Sequence, residues 1–324
     1  MSDKEANFDV EPFEETTDKP IWEAALKGDW DAVKQCLEEE PWLLGITGDR
    51  HEDNSVWHDL TLIQLAAGWC SDVDILKYLV SLGANAQEKD TDGWTPLHLA
   101  AGNNSLDVVK YLVSLWPDVS TEIDMLLHIA AHENSLDVLE YLVSLGVKVN
   151  DNTDDGNTLL LKAAMVNSVE VLQYLVSLGV NVNTKTADGV TPLHEAVRCG
   201  NQKVVEYLVS LGIDVNEKDN NGMTPLHIAA GALIFFDKEM TECLISLGGN
   251  VHAKDNRGMT PLHFAAQHRF ANVKAILFLI SKGADVNAKN CEGKTPLDVA
   301  VGKGKKRVLR AWMHRSSAQQ STTG

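Results

Sequence analysis

Histidine is the residue type in this chain best suited to chemistry, and its spacing limits what that chemistry can be. The 324-residue chain contains eleven histidines, and an imidazole can bind a metal ion or transfer a proton near neutral pH. Five of them lie in copies of one short sequence block: His98, His128, His194, His227 and His263. A feature that recurs at a steady interval indicates architecture rather than a single site. We therefore predict that these histidines lie in separate layers and do not bind one metal ion together.

The segment HEDNSVWHD, residues 51–59, concentrates histidines and carboxylates, which are common metal ligands. Ser55 stands where an HExxH zinc motif needs its second histidine, so the segment does not match that motif. The chain also lacks GxSxG, a P-loop and a glycine-rich dinucleotide fingerprint. We therefore predict no catalytic residue, no cofactor and no metal site. The alternative is an enzyme with an atypical site in the loop 42–60, which activity screening with and without that loop would reveal.

The cysteines indicate a reducing compartment. There are five of them, which is an odd number, they lie far apart, and no CxxC motif occurs. These features favour free thiols over a disulfide scaffold. The five residues are Cys36, Cys70, Cys199, Cys243 and Cys291.

The net charge of −18 bears on the partners that the chain can bind. Such a field repels a phosphate backbone, so we predict no nucleic-acid binding, and it favours a partner with a basic surface. Residues 1–18 carry seven acids and one lysine and are predicted to form a disordered acidic tail. Residues 316–324 are predicted to form a flexible polar tail. No 18-residue apolar run or secretory leader is visible, so we expect no membrane contact and a cytoplasmic location, with secretion into a host cell left open.

One block, DGWTPLHLAAG at residues 92–102, recurs along the chain. The position of its threonine marks nine copies, at Lys19, Thr61, Thr95, Met125, Thr158, Thr191, Thr224, Thr260 and Thr295. The clear copies, marked by Thr95, Thr191, Thr224, Thr260 and Thr295, have a turn such as Asp-x-x-Gly or Asn-x-x-Gly, then threonine and proline at a helix start. A second apolar-periodic segment before glycine follows, and the other four copies are degenerate. The spacing of 30 to 42 residues predicts turn, helix, turn and helix in every unit.

This pattern resembles the ankyrin-repeat family, whose TPLHxAA signature recurs here in register. The resemblance implies an all-α repeat solenoid of stacked helix-turn-helix units with β-hairpin fingers. It implies one domain over residues 19–315, with the first and last units acting as caps. In that family the repeated histidine joins the threonine to the backbone of adjacent hairpins. The resemblance therefore implies a structural role for the five repeated histidines.

The resemblance also implies a function, because ankyrin proteins usually bind protein partners through hairpin tips and inner helices. We expect a monomeric, non-catalytic scaffold or adaptor without a small-molecule substrate. The alternative is an effector or inhibitor that occupies a foreign or host enzyme with the same surface. For Met223 and Met259, packing between fingers is an equal alternative to partner contact. The candidate partner-binding residues are Trp69, Trp94, Asn103, Met165, Val190, Arg198, Met223, Met259 and His268.

Four further segments have their own predictions. The stretch LWPDVSTEID before Met125 lacks the Asp-x-x-Gly turn, which predicts a stunted finger. The insertion near 233–236 is apolar, and we favour its packing on the neighbouring insertion near 268–271, around Phe270, over an interaction patch. Residues 303–315 carry six cations and no acid and are predicted to form the last helix, with its cations in solvent. Nucleic-acid binding through this basic end is the alternative, and it requires a salt-dependent affinity.

Overall fold

The computed structural model describes most of the chain, which divides into two compact units. Unit 1 is Met1–Glu122 and unit 2 is Ile123–Gly324. The described residues are 19–45, 47, 60–70, 72–116, 122–146, 149, 158–231, 237–268 and 273–321. Several predicted features therefore lie outside the described residues: the tail 1–18, most of the loop 42–60, the stunted finger at 117–121, and the insertions 233–236 and 269–271. The single domain over 19–315 stays a prediction.

Unit 1 contains paired helices, as the repeat pattern predicts. Its α-helices are α1 (Lys19–Leu26), α2 (Trp30–Glu39), α3 (Leu62–Trp69), α4 (Val73–Ser81), α5 (Pro96–Gly102) and α6 (Leu106–Leu115). A short 3-10 helix, Pro41–Gly45, follows α2. The first helices α3 and α5 pack side by side, and α4 packs against α6. The alanine pair at Ala100 and Ala101 is fully buried, because small side chains let neighbouring helices approach closely.

Unit 2 continues the same pattern of two helices per repeat. Its helices are α7 (Ile123–His132), α8 (Leu136–Ser144), α9 (Leu159–Met165), α10 (Val169–Ser177), α11 (Pro192–Arg198), α12 (Gln202–Ser210), α13 (Pro225–Ala230), α14 (Lys238–Ser246), α15 (Pro261–Gln267), α16 (Val273–Ser281), α17 (Pro296–Val299) and α18 (Lys303–Ser321). The odd-numbered helices from α7 to α17 form one layer, in chain order. The second helices bury one apolar face, as α12 does with Val204, Val205 and Leu208. The predicted helical repeat solenoid is confirmed.

The last helix is longer than predicted. Helix α18 runs to Ser321, so the segment predicted as a flexible tail from residue 316 begins as helix. The residues Ser-Ser-Ala-Gln-Gln-Ser contain neither glycine nor proline, and alanine and glutamine favour helix. At the other end of α18, Leu309 is fully buried in the core of the last repeats.

The fingers between repeats are tight turns and not the predicted β-hairpins. Within the described residues no strand forms, and one isolated bridge joins Thr47 to Thr61. In a representative finger, the amide of Asp219 donates to the carbonyl of Met223 at 3.0 Å. The Asp219 carboxylate accepts from the amides of Asn221 and Met223 at 2.9 and 2.8 Å. A second backbone hydrogen bond, from the Gly222 amide to the Asp219 carbonyl at 2.9 Å, closes the turn, and two such bonds are too few to make a ladder.

Consecutive fingers are joined by hydrogen bonds from asparagine. In unit 2 the amide and the side-chain Nδ2 of Asn256 donate to the carbonyls of Asn221 and Asn220, at 2.9 and 2.8 Å. Gly222 has φ +75°, and a Cβ there would lie 2.7 Å from the Asn256 backbone nitrogen. Glycine is therefore needed at Gly222 both for the turn and for the approach of the next finger.

Candidate functional site

The inner-helix surface of unit 1 brings together two predicted partner-binding residues. Trp69 ends helix α3 and is 47% exposed. Asn103 follows α5, is exposed, and its Nδ2 donates to the Leu99 carbonyl at 3.1 Å. A Cβ at Gly68 would lie 3.5 Å from Leu99 Cβ and 3.9 Å from Asn103 Nδ2. The end of α3 that carries Trp69 thus lies against the end of α5 that precedes Asn103.

Trp94 lies in the finger that precedes α5 and is half-buried. Its ring meets the His98 ring edge-on, with centroids 6.0 Å apart. Its backbone carbonyl accepts a hydrogen bond from Gln64 Nε2 at 3.0 Å, and its amide donates to the Asp90 carboxylate at 2.7 Å. These contacts fix the position of the Trp94 ring and leave part of it exposed to a partner.

His98 is buried next to Trp94 and differs from the other repeated histidines in what it faces. Its Nδ1 accepts from the Thr95 amide at 3.0 Å, so the proton lies on Nε2. That Nε2 lies 3.3 Å from the carboxylate of Glu122, which is also 3.9 Å from Lys89 Nζ. Burial lowers the pKa of His98, and the Glu122 charge opposes that shift. A carboxylate thus takes the place that a backbone carbonyl has in later repeats.

Three of the four repeated histidines of unit 2 join neighbouring fingers, as the resemblance implied. His194, His227 and His263 each accept from the preceding threonine amide at Nδ1, at 3.1 to 3.3 Å. Their Nε2 atoms donate to the carbonyl of the next finger, at 3.0 to 3.1 Å. Burial lowers the pKa of all three imidazoles. His128 follows no threonine, and its Nδ1 lies 2.8 Å from the Asp124 carbonyl oxygen.

The finger residues of unit 2 divide into two classes. Val190 and Met223 are half-buried, so part of each side chain remains accessible. Met259 is only 2% exposed, and Asn290 Nδ2 lies 3.4 Å from its sulfur. The expectation that Met259 contacts a partner is therefore corrected: its side chain packs between fingers, which was the alternative for this residue.

The inner-helix residues of unit 2 are partly engaged within the repeat. Arg198 is exposed, and its guanidinium forms an ion pair with the buried carboxylate of Glu195, which raises the pKa of Arg198. Met165 ends α9 and is half-buried. His268 follows α15, is half-buried, and its backbone carbonyl accepts a hydrogen bond from Lys305. Arg198 is the most accessible of these three residues.

Several residues that position these surfaces were not singled out from the sequence. Gln64 stands in TLIQLAA where other repeats have the histidine, and it makes the same contacts. That alignment is a signal that the sequence contained. Lys305 is buried, and its Nζ donates to the carbonyls of Ala265 and Ala266 at 3.1 and 3.4 Å. The composition of residues 303–315 predicts cations in solvent, so it does not indicate that Lys305 caps the end of α15.

The charge of the chain is concentrated in unit 1. Residues 1–122 contain 25 acids and 8 lysines or arginines, a net charge of −17. Residues 123–324 contain 21 acids and 20 lysines or arginines, a net charge of −1. The surface around Trp69 and Trp94 therefore lies in the strongly acidic unit, where the field attracts cations.

Potential metal ligands lie apart from one another in the described part of the chain. Across the residues that the structure describes, no group of histidine, cysteine and carboxylate side chains is placed to hold a metal ion. None of the helices in the described part of the chain is long and apolar enough to cross a membrane. All five cysteines are free thiols. Burial raises the pKa of the Cys243 thiol to about 11, which leaves little of the reactive thiolate.

Comparison with known proteins agrees with the helical repeat architecture. A family model described as ankyrin repeats (3 copies) matches residues 18–123, 127–219 and 232–319, and a second, ankyrin repeats (many copies), matches 200–245. The fold defines a helical repeat scaffold, and the chain belongs to the ankyrin-repeat family.

Curated relatives match only short parts of the chain. Protein phosphatase 1 regulatory subunit 27 of Mus musculus and of Homo sapiens is 40% identical over 47 residues, 14% of this chain and 30% of that protein. RelA-associated inhibitor of Mus musculus is 38% identical over 94 residues, 29% of this chain and 10% of that protein. The chain thus spans less than a third of the length of each of these relatives.

Proposed function

We propose that the protein is a non-catalytic adaptor that binds a protein partner through the inner helices and fingers of unit 1. The observation that carries this proposal is Trp69, a tryptophan that is 47% exposed at the end of an inner helix. Tryptophan is enriched at the energetic centres of protein interfaces. Asn103 and the accessible part of Trp94 extend the same surface.

The expected partner has a basic surface, because unit 1 carries a net charge of −17. Opposite charges steer diffusional encounter and reject partners of like charge. Apolar contact with Trp69 would then hold the complex, since desolvated aromatic anchors contribute more than exposed ion pairs. In unit 2, the candidate partner-binding residues, taken by themselves, are Met165, Val190, Arg198, Met223 and His268.

The second candidate is an effector or inhibitor that occupies an enzyme with the same surface. Its support is by analogy, since one similar protein is named as an inhibitor and another as a regulatory subunit. Both functions predict the same contact residues. They differ in the partner: an effector binds an enzyme from outside the source cell and lowers its activity.

Affinity capture from a lysate of the source cells tests the proposal, with the full chain as bait and mass spectrometry as readout. Trp69→Ala is the test variant. Trp42→Ala is the matched control, because Trp42 lies in the same unit and is 53% exposed on the 3-10 helix. We expect a basic protein that wild type and the control retain and that Trp69→Ala loses. Equal retention by all three baits would contradict the proposed surface.

A further inference from the structure

Charged residues are unevenly distributed along the chain, and the C-terminal part has a net positive charge. Residues 1–268 contain 43 acids and 17 lysines or arginines, a net charge of −26. Residues 269–324 contain 3 acids and 11 lysines or arginines, a net charge of +8. In a repeat protein the order of residues is the order of layers. The last layers of unit 2 therefore carry a charge opposite to that of the earlier layers of the same unit, because residues 123–268 have a net charge of −9 (18 acids, 9 lysines or arginines).

Helix α18 carries three of these eleven cations on one exposed side. Its buried side carries Lys305 and Leu309, which are 5% and 0% exposed. Lys303, Arg307 and Arg310 are exposed and follow the spacing i, i+4 and i+7, which places them on one helical face. We call these three residues the basic face. Within the described chain, none of the three forms an ion pair.

The basic face is held in a fixed position by packing beneath it. Leu309 lies in the core of the last repeats, and a Cβ at Gly304 would lie 3.5 Å from Val273 Cγ2. Lys305 caps the C-terminal carbonyls of α15, with its Nζ 3.1 Å from the Ala265 oxygen. Further along α18, the Arg315 guanidinium lies 5.5 Å from the centre of the Trp312 ring, so this cation is also held by packing. The exposed cations are thus preorganised rather than carried on a free tail.

We propose that the basic face of α18 is a docking surface for an acidic segment of a partner protein. Lys303 and Arg310, the two ends of the basic face, are separated by seven helical steps of about 1.5 Å, which is about 10 Å. Three or four residues of extended chain cover about the same length. A short run with two or three Asp or Glu residues can therefore reach all three cations. Arginine adds bidentate hydrogen bonds to carboxylates.

The charge distribution of unit 2 and the burial of the apolar side of α18 favour an acidic peptide over a membrane surface or a nucleic acid. An amphipathic helix enters a membrane interface through its apolar side, and that side of α18 is packed in the protein core. A nucleic-acid duplex carries about one negative charge per 1.7 Å of its axis, and it extends past the basic face. Its remaining phosphates meet the earlier layers of unit 2, since residues 123–268 contain 18 acids and 9 lysines or arginines, a net charge of −9. A short acidic peptide stays within about one screening length, roughly 8 Å, of the basic face.

The test is fluorescence anisotropy of a short labelled Asp/Glu-rich peptide titrated with the full chain at low and at physiological salt. Arg307→Glu/Arg310→Glu reverses two exposed charges of the basic face. Lys203→Glu/Lys218→Glu is the matched control, because these exposed lysines lie elsewhere in unit 2 and the net charge changes equally. We expect saturable binding that weakens with salt, about tenfold weaker in the basic-face variant and within about twofold of wild type in the control.

Four outcomes would overturn this inference. The first is that the peptide shows no saturable binding, and the second is that both variants lose peptide affinity equally. The third is that the chain binds a single-stranded oligonucleotide or anionic lipid vesicles more tightly than the peptide. The fourth is that the chain self-associates and that Arg307→Glu/Arg310→Glu removes this self-association. Sedimentation of the chain alone measures that last outcome, which would make a second copy the occupant. Thermal melts of both variants confirm that each is folded. Because the basic face is separate from Trp69, its failure leaves the proposed function of unit 1 untouched.

Discussion

The side chain of Gln64 donates from Nε2 to the backbone carbonyl of Trp94 at 3.0 Å, so one repeat holds the finger of the next. Gln64 is fully buried, and its Oε1 accepts from the Thr61 amide at 2.8 Å. His227 makes the equivalent pair of contacts with Thr224 and Met259, at 3.1 and 3.0 Å. Glutamine therefore serves in this protein as a non-titrating equivalent of the repeated histidine.

The repeated histidines should make the stability of unit 2 depend on pH. Burial lowers the folded-state pKa of His194, His227 and His263, while the unfolded value is about 6.5. Above about pH 6.5 their contribution to stability is complete, and it is lost as pH falls, because the unfolded state binds more protons. We expect the urea midpoint to decrease from about pH 7.5 to about pH 5.5, before most carboxylates titrate.

Replacing all three histidines by glutamine should flatten this pH dependence. The variant His194→Gln/His227→Gln/His263→Gln keeps an acceptor for the threonine amide and a donor for the next finger, as Gln64 does. Circular dichroism in urea at several pH values measures the change. A pH dependence as steep in this variant as in wild type would show that other groups cause it.

The ladder of asparagines between fingers is incomplete at its last step. Asn256 Nδ2 donates to the Asn220 carbonyl at 2.8 Å, whereas Cys291 occupies the next equivalent position, with its sulfur 4.0 Å from the Asn256 carbonyl oxygen. We expect Cys291→Asn to raise the free energy of unfolding by about 0.5–1 kcal/mol, because it adds one hydrogen bond. The measurement is the urea midpoint of the purified chain.

Cys291→Ala serves as the control for this substitution, because it removes the thiol without adding a donor. A gain of equal size in Cys291→Ala would mean that loss of the cysteine, and not the new hydrogen bond, stabilises the finger. Hydrogen exchange of the Cys291-position amide, which donates to the Arg257 carbonyl at 2.9 Å, should slow only in the asparagine variant.

The repeated block and its helices could be predicted from the sequence, because each unit contains its own signals. Threonine followed by proline begins α5, α11, α13 and α15, and the Thr95 and Thr191 side chains accept from the amide three residues on. The spacing of the histidines indicated architecture rather than a single site, and the resemblance to ankyrin repeats implied their structural role. These features depend on short-range chemistry that one repeat already shows.

What the sequence could not settle depends on contacts between repeats. Met223 and Met259 occupy the same position in their fingers, yet only Met259 is buried against the next finger. Lys305 reads as part of a solvated basic run, but the end of α15 supplies carbonyls that receive its Nζ. Neither difference is visible in the local pattern, because each is decided by a neighbour more than 30 residues away.

The buried Lys305 should stabilise the last repeats through its hydrogen bonds. Lys305→Ala leaves the carbonyls at the end of α15 without their donor, so we expect a loss of about 1–3 kcal/mol in the free energy of unfolding. Lys303→Ala, an exposed neighbour on the same helix, should change it by less than about 0.5 kcal/mol. Urea denaturation compares the two, and equal effects would contradict the capping role.

Substitutions of Met223 and Met259 should differ in their effects on stability and on partner binding. Met259→Ala removes a buried side chain, and we expect a loss of about 2–5 kcal/mol. Met223→Ala, at a half-buried side chain, should cost less and should weaken binding if the partner reaches this finger. Thermal melts and partner titrations on the two variants give both quantities. A larger stability loss in Met223→Ala would contradict the difference in burial.

The central claim is that exposed Trp69 in the acidic unit anchors a protein partner. The direct test is calorimetric titration of the captured partner into wild type, Trp69→Ala and the matched control Trp42→Ala, with thermal melts to confirm folding. We predict an affinity about 30-fold weaker for Trp69→Ala, corresponding to about 2 kcal/mol, and an unchanged affinity for the control. An unchanged affinity for Trp69→Ala would contradict the claim and move the binding surface elsewhere.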